Sequence, residues 1–353
     1  MNPYSFNWTP LLMQWYDKNR RDLPWRTESP RDPYKVWVSE IMLQQTRVEA
    51  VKGYYDRFLT ALPTVSDLAA AGEENILKLW EGLGYYSRVR YMQQAAILVT
   101  EEYEGALPAD YAALLKLLGI GPYTAAAIAS IAFSIPKAVV DGNVLRVITR
   151  LGEDGTDIAD ARFRRDMADM LDAIIPKDAP GTFNQAIMDL GAMVCTPNGI
   201  PKCEICPLAR LCKAHASGTE LSYPVKSSLK PRKIEKITVF IIHDGERVAI
   251  RKRPNHGLLA GLYEPVQTPG HLNEKAAVIF LESLPVDPLH VERIENAKHI
   301  FTHKEWHMIA YEVKIAAGSG DTAAGLIFTP LKETAASYPI PSAYALYRRY
   351  LGI

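Results

Sequence analysis

The chain has 353 residues, of which 48% are hydrophobic and 23% charged, and its 40 basic side chains balance its 40 acidic ones. The composition is that of an ordinary globular protein, and the length indicates two or three domains. No apolar run reaches about 18 residues, so no membrane span is expected, and a net charge of zero argues against a generally basic nucleic-acid binder.

The first 25 residues lack the basic-then-apolar pattern of a signal peptide. We therefore expect a cytoplasmic protein of bacterial type. We also expect a monomer. Because disulfides rarely persist in the cytosol, clustered cysteines in this chain indicate metal binding.

Residues 1–222 are predicted to form a mostly helical domain. Apolar residues recur at three- and four-residue spacing in DLAAAGEENILKLWEGL, ALLKLL, TAAAIASIAF and RFRRDMADMLDAII. Short segments rich in Gly, Pro and Asp separate these stretches, as expected for the connections between helices.

One predicted helix, YKVWVSEIMLQQTRV, carries a single acidic residue in its middle. Glu40 shares a helix face with Val36, Trp37 and Leu43. Apolar neighbours raise the pKa of a carboxyl group, and a raised pKa suits a general acid. The alternative is an exposed glutamate in a surface ion pair.

Two glycine-containing turns follow. EGLGYYSRVRY places Tyr85 at a turn, and an aromatic side chain at such a position can wedge into a base stack; local packing is the alternative. LLKLLGIGPYTAAAIASIAF predicts a helix-hairpin-helix over residues 114–130, in which Gly119 and Gly121 permit positive φ angles. Its second helix begins at Pro122, and its free N–H groups can hold a phosphate. A plain turn between two core helices is the alternative.

A second carboxylate lies in KAVVDGNVLRVITRL, where Asp141 follows an apolar stretch. Asp141 is positioned to cap the following helix. It is equally positioned to be the ionised member of a carboxyl pair with Glu40, in which one acid donates a proton and the other stabilises charge.

All four cysteines lie in the loop 195–212 with the spacing C-x7-C-x2-C-x5-C: Cys195, Cys203, Cys206 and Cys212. Four thiolates suit zinc or an iron–sulfur cluster, and the spacing alone does not separate the two. Unrelated buried thiols are a further alternative.

The segment 223–236 is predicted to be a flexible basic linker, since it holds two prolines among Lys226, Lys230, Arg232, Lys233 and Lys236. From Ile237 the chain becomes β-branched. ITVFIIHDGERVAIRKR predicts a hairpin around Asp-Gly, and WHMIAYEVKIAAG predicts another strand. Residues 237–353 are therefore expected to form an α+β domain.

Together and in this order, these features are specific. The chain resembles the helix-hairpin-helix DNA glycosylase superfamily, and within it the adenine-specific branch. The stretches that carry the resemblance are RDLPWR, DPYKVWVSEIMLQQTRV, WEGLGYYSRVR, LLGIGPYTAAAI, AVVDGNVLRV, FNQAIMDLGAMVCTP and GLLAGLYEP. They cover most of the N-terminal domain and part of the C-terminal domain, which resembles a Nudix-like lesion-recognition domain.

The resemblance implies a base excision repair enzyme that flips adenine out of double-stranded DNA, where it is paired with 8-oxoguanine or guanine, and hydrolyses its N-glycosidic bond. It implies catalytic roles for Glu40 as general acid, Asp141 as electrostatic partner or transient nucleophile, and Tyr123 and Asn143 as supporting residues. The implied adenine pocket comprises Arg21, Leu23, Trp25, Arg26, Gln185 and Met188. The implied DNA and lesion contacts are Gln45, Thr46, Leu83, Tyr85, Arg88, Gly119, Gly121, Phe301, Thr302 and His303, and the implied cofactor is a [4Fe–4S] cluster on the four cysteines.

Four departures from superfamily patterns sharpen this interpretation. Related enzymes that also cut the strand have a lysine where this chain has Tyr123, so a monofunctional glycosylase is expected. The first cysteine gap is seven residues rather than six, which lengthens a loop without removing a ligand. Thr302 replaces the serine of a Phe-Ser-His stretch. The C-terminal domain lacks the acid-rich signature of Nudix hydrolases, so no pyrophosphatase activity is expected.

Two alternatives stay open at this stage. One is an endonuclease III-type glycosylase and lyase acting on pyrimidine lesions, and the other is a non-enzymatic DNA damage-binding protein with a structural zinc ion.

Overall fold

The computed structural model describes residues 7–27, 31–227, 231–317 and 325–353. The chain divides into two compact units, a first formed by Met1–Ala71 and Tyr91–Ser228 and a second formed by Gly72–Arg90 and Leu229–Ile353. The segment 72–90 therefore groups with the C-terminal unit, whereas the sequence-based boundary at residue 222 placed it in the helical domain.

The α-helices are, in chain order, α1 Thr9–Asn19, α2 Pro33–Leu43, α3 Val48–Ala61, α4 Val65–Ala70, α5 Glu73–Leu79, α6 Ser87–Glu102, α7 Tyr111–Leu114, α8 Pro122–Phe133, α9 Gly142–Gly152, α10 Ala161–Ile174, α11 Pro180–Met193, α12 Lys213–Ser217, α13 Glu274–Glu282, α14 Leu331–Ser337 and α15 Arg348–Leu351. Side-chain caps fix several of their starts. Asp32 accepts from the backbone N–H of Tyr34 at the start of α2, and Thr64 and Asp67 form a capping box at α4. None of the described helices is both long and apolar enough to span a bilayer.

The core of the first unit lies between α1, α8, α9 and α11, which pack against one another. Helix α9 is amphipathic, and α8 is apolar on nearly all sides because it is enclosed by its neighbours. Gly191 of α11 lets that helix approach α9 closely, since a Cβ atom at this position would lie 2.8 Å from the Cβ of Asn143. This close approach matters for the site, because α2, α8, α9 and α11 each supply one of its walls.

The second unit is built on a six-stranded sheet with the order β4-β5-β1-β3-β2-β6. The strands are β1 Lys233–His243, β2 Arg247–Lys252, β3 Tyr263–Pro269, β4 Pro288–Ile300, β5 Lys304–Ile315 and β6 Ile327–Pro330. Strands β1 and β5 are parallel and the other pairs antiparallel. Apolar clusters cover both faces of the sheet, so the central strand β1 is buried over most of its length. The predicted α+β class, the hairpin around Asp244-Gly245 and the strand in WHMIAYEVKIAAG are confirmed.

Two details differ from the sequence-based expectations. The first helix of the hairpin motif, α7, ends at Leu114, because the next residues form turns up to Gly119. Towards both ends of the predicted linker, described residues form backbone hydrogen bonds. The backbone carbonyl of Val225 accepts from Ile158, and β1 already begins at Lys233. Lys230, one of its predicted basic residues, lies outside the described residues.

Candidate active site

A cavity of about 180 Å³ opens in the first unit. Cavities of about 150 Å³ admit a benzene ring, so this one has room for an aromatic ring system. It brings together all predicted catalytic residues and all predicted adenine-pocket residues, together with Thr46: Arg21, Leu23, Trp25, Arg26, Glu40, Tyr123, Asp141, Asn143, Gln185 and Met188. Six further lining residues had not been predicted: Val36, Ser39, Leu43, Val48, Ile131 and Ala192.

Glu40 lies in the middle of α2 and is only 5% exposed. Burial raises the pKa of its carboxyl group, which the hydrogen bond from Tyr123 and the charge of Arg26 partly offset and the charge of Asp141 reinforces. The Tyr123 hydroxyl donates to Oε2 of Glu40 at 2.6 Å, and burial together with the Glu40 charge raises the pKa of Tyr123 well above its usual value. The surface ion pair considered for Glu40 is therefore excluded, and the carboxyl group is biased towards its neutral form.

Asp141 is the N-cap of α9, as expected from the sequence, and it also lines the cavity. One carboxylate oxygen accepts from the backbone N–H of Val144 at 2.7 Å, and the other accepts from Nδ2 of Asn143 at 2.8 Å. Both oxygens thus act as acceptors of N–H hydrogen bonds, which suits an ionised carboxylate. The capping role and the site role coexist in one side chain.

Asp189 of α11 is the residue on which the cationic wall of the cavity depends. Its side chain is fully buried and pairs with Arg21, through a contact of 2.5 Å, and with Arg26, through a contact of 2.7 Å. Burial alone would raise the pKa of Asp189, but the hydrogen bonds and charges of Arg26 and Arg21 lower it overall. The carboxylate therefore holds both guanidinium groups in fixed positions at the cavity.

Replacing Asp189 by asparagine should lower the free energy of unfolding by about 3–5 kcal/mol, because it leaves two guanidinium groups without their buried counter-charge. Urea denaturation followed by tryptophan fluorescence measures this. The matched control is Asp166→Asn, since Asp166 forms only an exposed pair with Arg162 at 3.9 Å and should cost no more than about 1 kcal/mol. Equal losses in the two variants would contradict the structural role of Asp189.

A chain of hydrogen bonds connects Asp141 with the cysteine loop. Asn143, which donates to Asp141, accepts from Nη2 of Arg146 at 2.9 Å. Nε of Arg146 in turn donates to the backbone carbonyl of Cys195 at 2.7 Å, and its Nη2 donates to that of Gly191 at 2.7 Å. Arg146 is buried. The orientation of Asn143, and through it that of Asp141, is thus tied to the backbone at the first cysteine.

The four cysteines are half-buried thiols without disulfide bonds. Burial raises the pKa of Cys203 to about 11 and that of Cys206 to about 12. The sulfur atom of Cys195 lies 3.3 Å from Nη1 of Arg150. Among the described residues, Cys203, His215 and Glu220 bring a sulfur, a ring nitrogen and a carboxylate oxygen within 4.8 Å of one another, a set that could hold a single metal ion. The four thiol groups of the loop suit either zinc or an iron–sulfur cluster.

The two glycines of the hairpin before α8 have different backbone conformations. Gly119 has φ +79°, and a Cβ atom there would lie 2.7 Å from the Cβ of Tyr91. Gly121 is the N-cap of α8 with an extended backbone at φ −89°, so it does not use the positive φ that glycine permits. Pro122 is at the first helical position. The hairpin thus needs one glycine for its backbone and leaves the N–H groups at the start of α8 free of side-chain caps.

The residues predicted to contact DNA fall into two groups. Gln45 and Tyr85 are both exposed and have positive φ angles of 57° and 45°, which are strained for residues other than glycine. Leu83 is only 6% exposed, and Arg88 donates to the backbone carbonyls of Leu83 and Gly84 at 3.0 Å. Burial lowers the pKa of Arg88 to about 10. Both side chains therefore support the turn that presents Tyr85, and their DNA contacts stay predictions.

The predicted lesion-reading residues form the turn between β4 and β5. Phe301 closes this turn with its N–H bonded to the carbonyl of Lys304, and its ring packs edge-on against Trp306. Thr302 and His303 are exposed. Within the same unit, the hydroxyl groups of Thr302 and Tyr85 form a short hydrogen bond. The predicted wedge residue and the predicted lesion-reading hydroxyl group thus meet at one cavity of about 320 Å³.

Asp189 is the functional residue that the sequence analysis missed. It lies in FNQAIMDLGAMV, four residues after Gln185 and one after Met188, both of which were predicted. A lone acid on a helix that is otherwise apolar signals a buried counter-ion. That signal was available, but its partners Arg21 and Arg26 are more than 160 residues away in the chain.

The chain is similar to known DNA repair proteins. Residues 38–172 match the family described as HhH-GPD superfamily base excision DNA repair protein, and residues 238–348 match the NUDIX domain. The chain is 34% identical to the adenine DNA glycosylase of Rattus norvegicus, covering 96% of this chain and 77% of the relative. It is 36% identical to that of Homo sapiens, with 88% and 67% covered, and 32% identical to one from Buchnera aphidicola, with 87% and 86% covered.

Two solved structures resemble part of the chain. A thermostable thymine-DNA glycosylase is 30% identical with a TM-score of 0.54, covering 59% of this chain and 95% of that one. A trapped endonuclease III–DNA covalent intermediate is 24% identical with a TM-score of 0.51, covering 60% and 94%. Because the identity to the endonuclease III structure is only 24%, this similarity shows a shared fold and nothing about function.

Proposed function

The chain belongs to the adenine DNA glycosylases of the HhH-GPD superfamily of base excision DNA repair proteins, and on that premise we propose that it excises adenine paired with 8-oxoguanine, and more weakly adenine paired with guanine. It does so by hydrolysing the N-glycosidic bond of a flipped nucleotide. One observation carries the mechanism: a buried carboxyl group with a raised pKa, Glu40, shares one cavity with a second carboxylate, Asp141.

Glu40 supplies the proton. Adenine is a poor leaving group until a ring nitrogen is protonated, and a neutral carboxylic acid can donate at that point. Because Oε2 accepts from the Tyr123 hydroxyl, the proton of the neutral acid resides on Oε1. Tyr123 therefore selects which oxygen of Glu40 faces the base as a donor.

Asp141 stabilises what remains after the base leaves. Departure of adenine gives a sugar with oxocarbenium-ion character, and a nearby anion lowers the energy of that state. Asp141 serves either as this electrostatic partner or as a transient nucleophile. In both cases its orientation is maintained by Asn143 and Val144, whose N–H groups bind its two oxygens.

The wall opposite Glu40 binds the extruded base. The Tyr16 hydroxyl donates to Oε1 of Gln185 at 2.7 Å, which orients the amide so that its NH2 group can donate to a purine ring nitrogen. Arg26 is held by Asp189 on the same wall. With Tyr123 at the position where strand-cutting relatives use lysine, the described lining of the cavity contains no lysine amine for Schiff-base chemistry, so the product is an abasic site.

The cysteine loop holds a [4Fe–4S] cluster in this proposal. The donor set fits: four free thiol groups lie in one loop, with Arg150 beside the Cys195 sulfur. The cluster would fix the fold of the loop and does not take part in the hydrolysis. The chain's own contribution is the Arg146 connection from Cys195 to Asn143. Iron with a brown colour supports this assignment, and colourless protein with stoichiometric zinc contradicts it.

Thr302 recognises the base opposite adenine. 8-Oxoguanine carries a hydrogen on N7 where guanine has a lone pair, and a hydroxyl oxygen can accept that hydrogen. In the protein without DNA the Thr302 hydroxyl is bonded to that of Tyr85, so lesion binding exchanges one hydrogen bond for another. This coupling supports a joint role of the two residues in recognition.

The test is base release from labelled duplexes that carry adenine opposite 8-oxoguanine, guanine or cytosine, with and without alkali. We expect strand breaks only after alkali, and only for the first two duplexes. Cleavage without alkali, or release of a damaged pyrimidine in its place, would favour the endonuclease III-type alternative.

Thr302→Val should lower the preference for 8-oxoguanine over guanine by up to about tenfold, because it removes one hydrogen bond while keeping the shape of the side chain. The preference is measured as the ratio of single-turnover rates on the two duplexes. Thr302→Ser, which keeps the hydroxyl group, is the matched control and should retain the preference. A valine variant with unchanged preference would remove Thr302 from lesion reading.

A further inference from the structure

Four arginine side chains surround a second cavity of the first unit. This cavity measures about 380 Å³ and is lined by Tyr16, Arg20, Arg21, Asp22, Arg26, Thr27 and Arg31. Of these seven described lining residues, four are cationic and one, Asp22, is acidic. Such a density of guanidinium groups around one opening repels cations and concentrates anions.

Only two of the four guanidinium groups are neutralised by described residues of the protein. Asp189 pairs with Arg21 and Arg26 and is fully buried between them. Among the residues that the structure describes, no carboxylate lies within ion-pair distance of Arg20 or Arg31. Nη1 of Arg31 donates to the backbone carbonyl of Trp25 at 3.0 Å, a neutral acceptor that leaves its charge uncompensated.

The uncompensated positive charge affects the pKa of Arg31. Burial lowers the pKa of this half-buried guanidinium group, and the positive charges of Arg26 and Arg20 lower it further. A bound anion would relieve both effects, since it would replace the missing solvation and screen the arginines from one another. The cavity is thus arranged for an anion that the described part of the polypeptide does not provide.

This cavity adjoins the one that holds Glu40 and Asp141. Arg21 and Arg26 line both cavities. Tyr16, on the wall of the cationic cavity, donates to Gln185 on the wall of the other. An anion bound between Arg20 and Arg31 would therefore lie one layer of side chains away from the extruded base, in contact with residues that hold that base.

We propose that the cationic cavity is a phosphate-binding subsite adjoining the base-binding cavity, with Arg20 and Arg31 as its specific ligands. Arginine forks match phosphate oxygens in a bidentate manner, and the cavity is large enough for a phosphate group with part of the molecule that carries it. The phosphate comes either from the DNA strand or from a free phosphorylated compound. The proposal deepens the proposed function and rests on it, because it adds a second ligand contact to the same wall.

The first experiment measures binding of inorganic phosphate to the full chain by thermal unfolding at constant ionic strength, with chloride replaced by phosphate. Saturating phosphate should raise the melting temperature of the wild-type protein by about 2 °C or more. Arg20→Gln and Arg31→Gln should each lose most of this increase. Lys18→Gln is the control, since Lys18 lies on the same stretch of chain but does not line the cavity. Equal gains in all four proteins, or none in the wild type, would overturn the proposal.

The second experiment identifies the source of the phosphate through the salt dependence of binding to a duplex with an abasic-site analogue opposite 8-oxoguanine. If a DNA phosphate occupies the subsite, Arg20→Gln and Arg31→Gln should each reduce the slope of log K against log salt by about one. If the slope is unchanged but the variants lose the phosphate-induced increase in melting temperature, the ligand is a free phosphorylated compound. Adenine release measured on the same preparations keeps the outcomes separate: release without any phosphate effect overturns the subsite alone, and absent release overturns the proposed function.

Discussion

Replacing Glu40 by glutamine is expected to slow adenine release by at least about a hundredfold and to leave duplex binding intact. General acid catalysis contributes about 10²–10⁴ to such reactions, and an amide in the same position cannot donate a carboxyl proton. The Tyr123 hydroxyl can still donate to the amide oxygen, so the cavity should keep its shape. Single-turnover release from a duplex with adenine opposite 8-oxoguanine measures the rate, and fluorescence anisotropy measures binding.

The control is Glu49→Gln, because Glu49 is an exposed residue of the next helix that pairs only with Lys52 in a surface contact. It should release adenine at the wild-type rate. A Glu40→Gln variant that keeps more than a few per cent of the wild-type rate would exclude Glu40 as the proton donor.

The same substitution has a predictable effect on stability. A carboxyl group whose folded-state pKa is raised stabilises the fold fully below the ordinary value of 4.5, and this contribution is lost as the pH rises through the raised pKa. Glu40→Gln removes that pH dependence. The variant should therefore be more stable than the wild type at pH 8, by about 1.4 kcal/mol for each unit by which the pKa is raised, and the difference should shrink towards pH 4.

Replacing Asp141 by asparagine should slow adenine release by about 10²–10³-fold, since it removes the negative charge that stabilises the positive charge developing on the sugar as the base departs. Stability should change little, because asparagine caps helices as well as aspartate does. The hydrogen bond from the backbone N–H of Val144 can form to the amide oxygen. Base release and urea denaturation are the two measurements.

Asp160→Asn is a matched control for this substitution. Asp160 caps α10 through the backbone N–H groups of Arg162 and Phe163, and it does not line the cavity. Its variant should show the same small change in stability and the wild-type rate of release. If Asp141→Asn were as active as Asp160→Asn, Asp141 would act as a helix cap and would have no role in catalysis.

The sequence predicted the site better than it predicted the supporting structure around it. Glu40 and Asp141 could be found because each is a lone acid in an apolar stretch and both lie in stretches that resemble one superfamily. Asp189 was missed because periodicity reports that a residue is buried but not which distant cations it meets. Its ion pairs with Arg21 and Arg26 exist only in the folded chain.

Arg88 shows that the sequence did not predict the direction of a charged side chain. A charged residue beside a glycine turn suggests a surface contact, yet Arg88 is turned inwards, where backbone carbonyls bind its guanidinium group. Glycine permits a positive φ at both Gly119 and Gly121, yet only Gly119 adopts one, and the backbone at Gly121 is extended. In each case the residue type limited the possibilities, and packing selected among them.

The neutral state of Glu40 is most directly tested by carbon NMR titration of protein labelled at glutamate side-chain carboxyl carbons, with Glu40→Gln used to assign the resonance. We expect the Glu40 signal to titrate above 4.5, with a substantial neutral fraction remaining where the surface glutamates are already fully ionised. A Glu40 resonance that titrates together with the surface glutamates would contradict the mechanism, since no proton would then be held for the base.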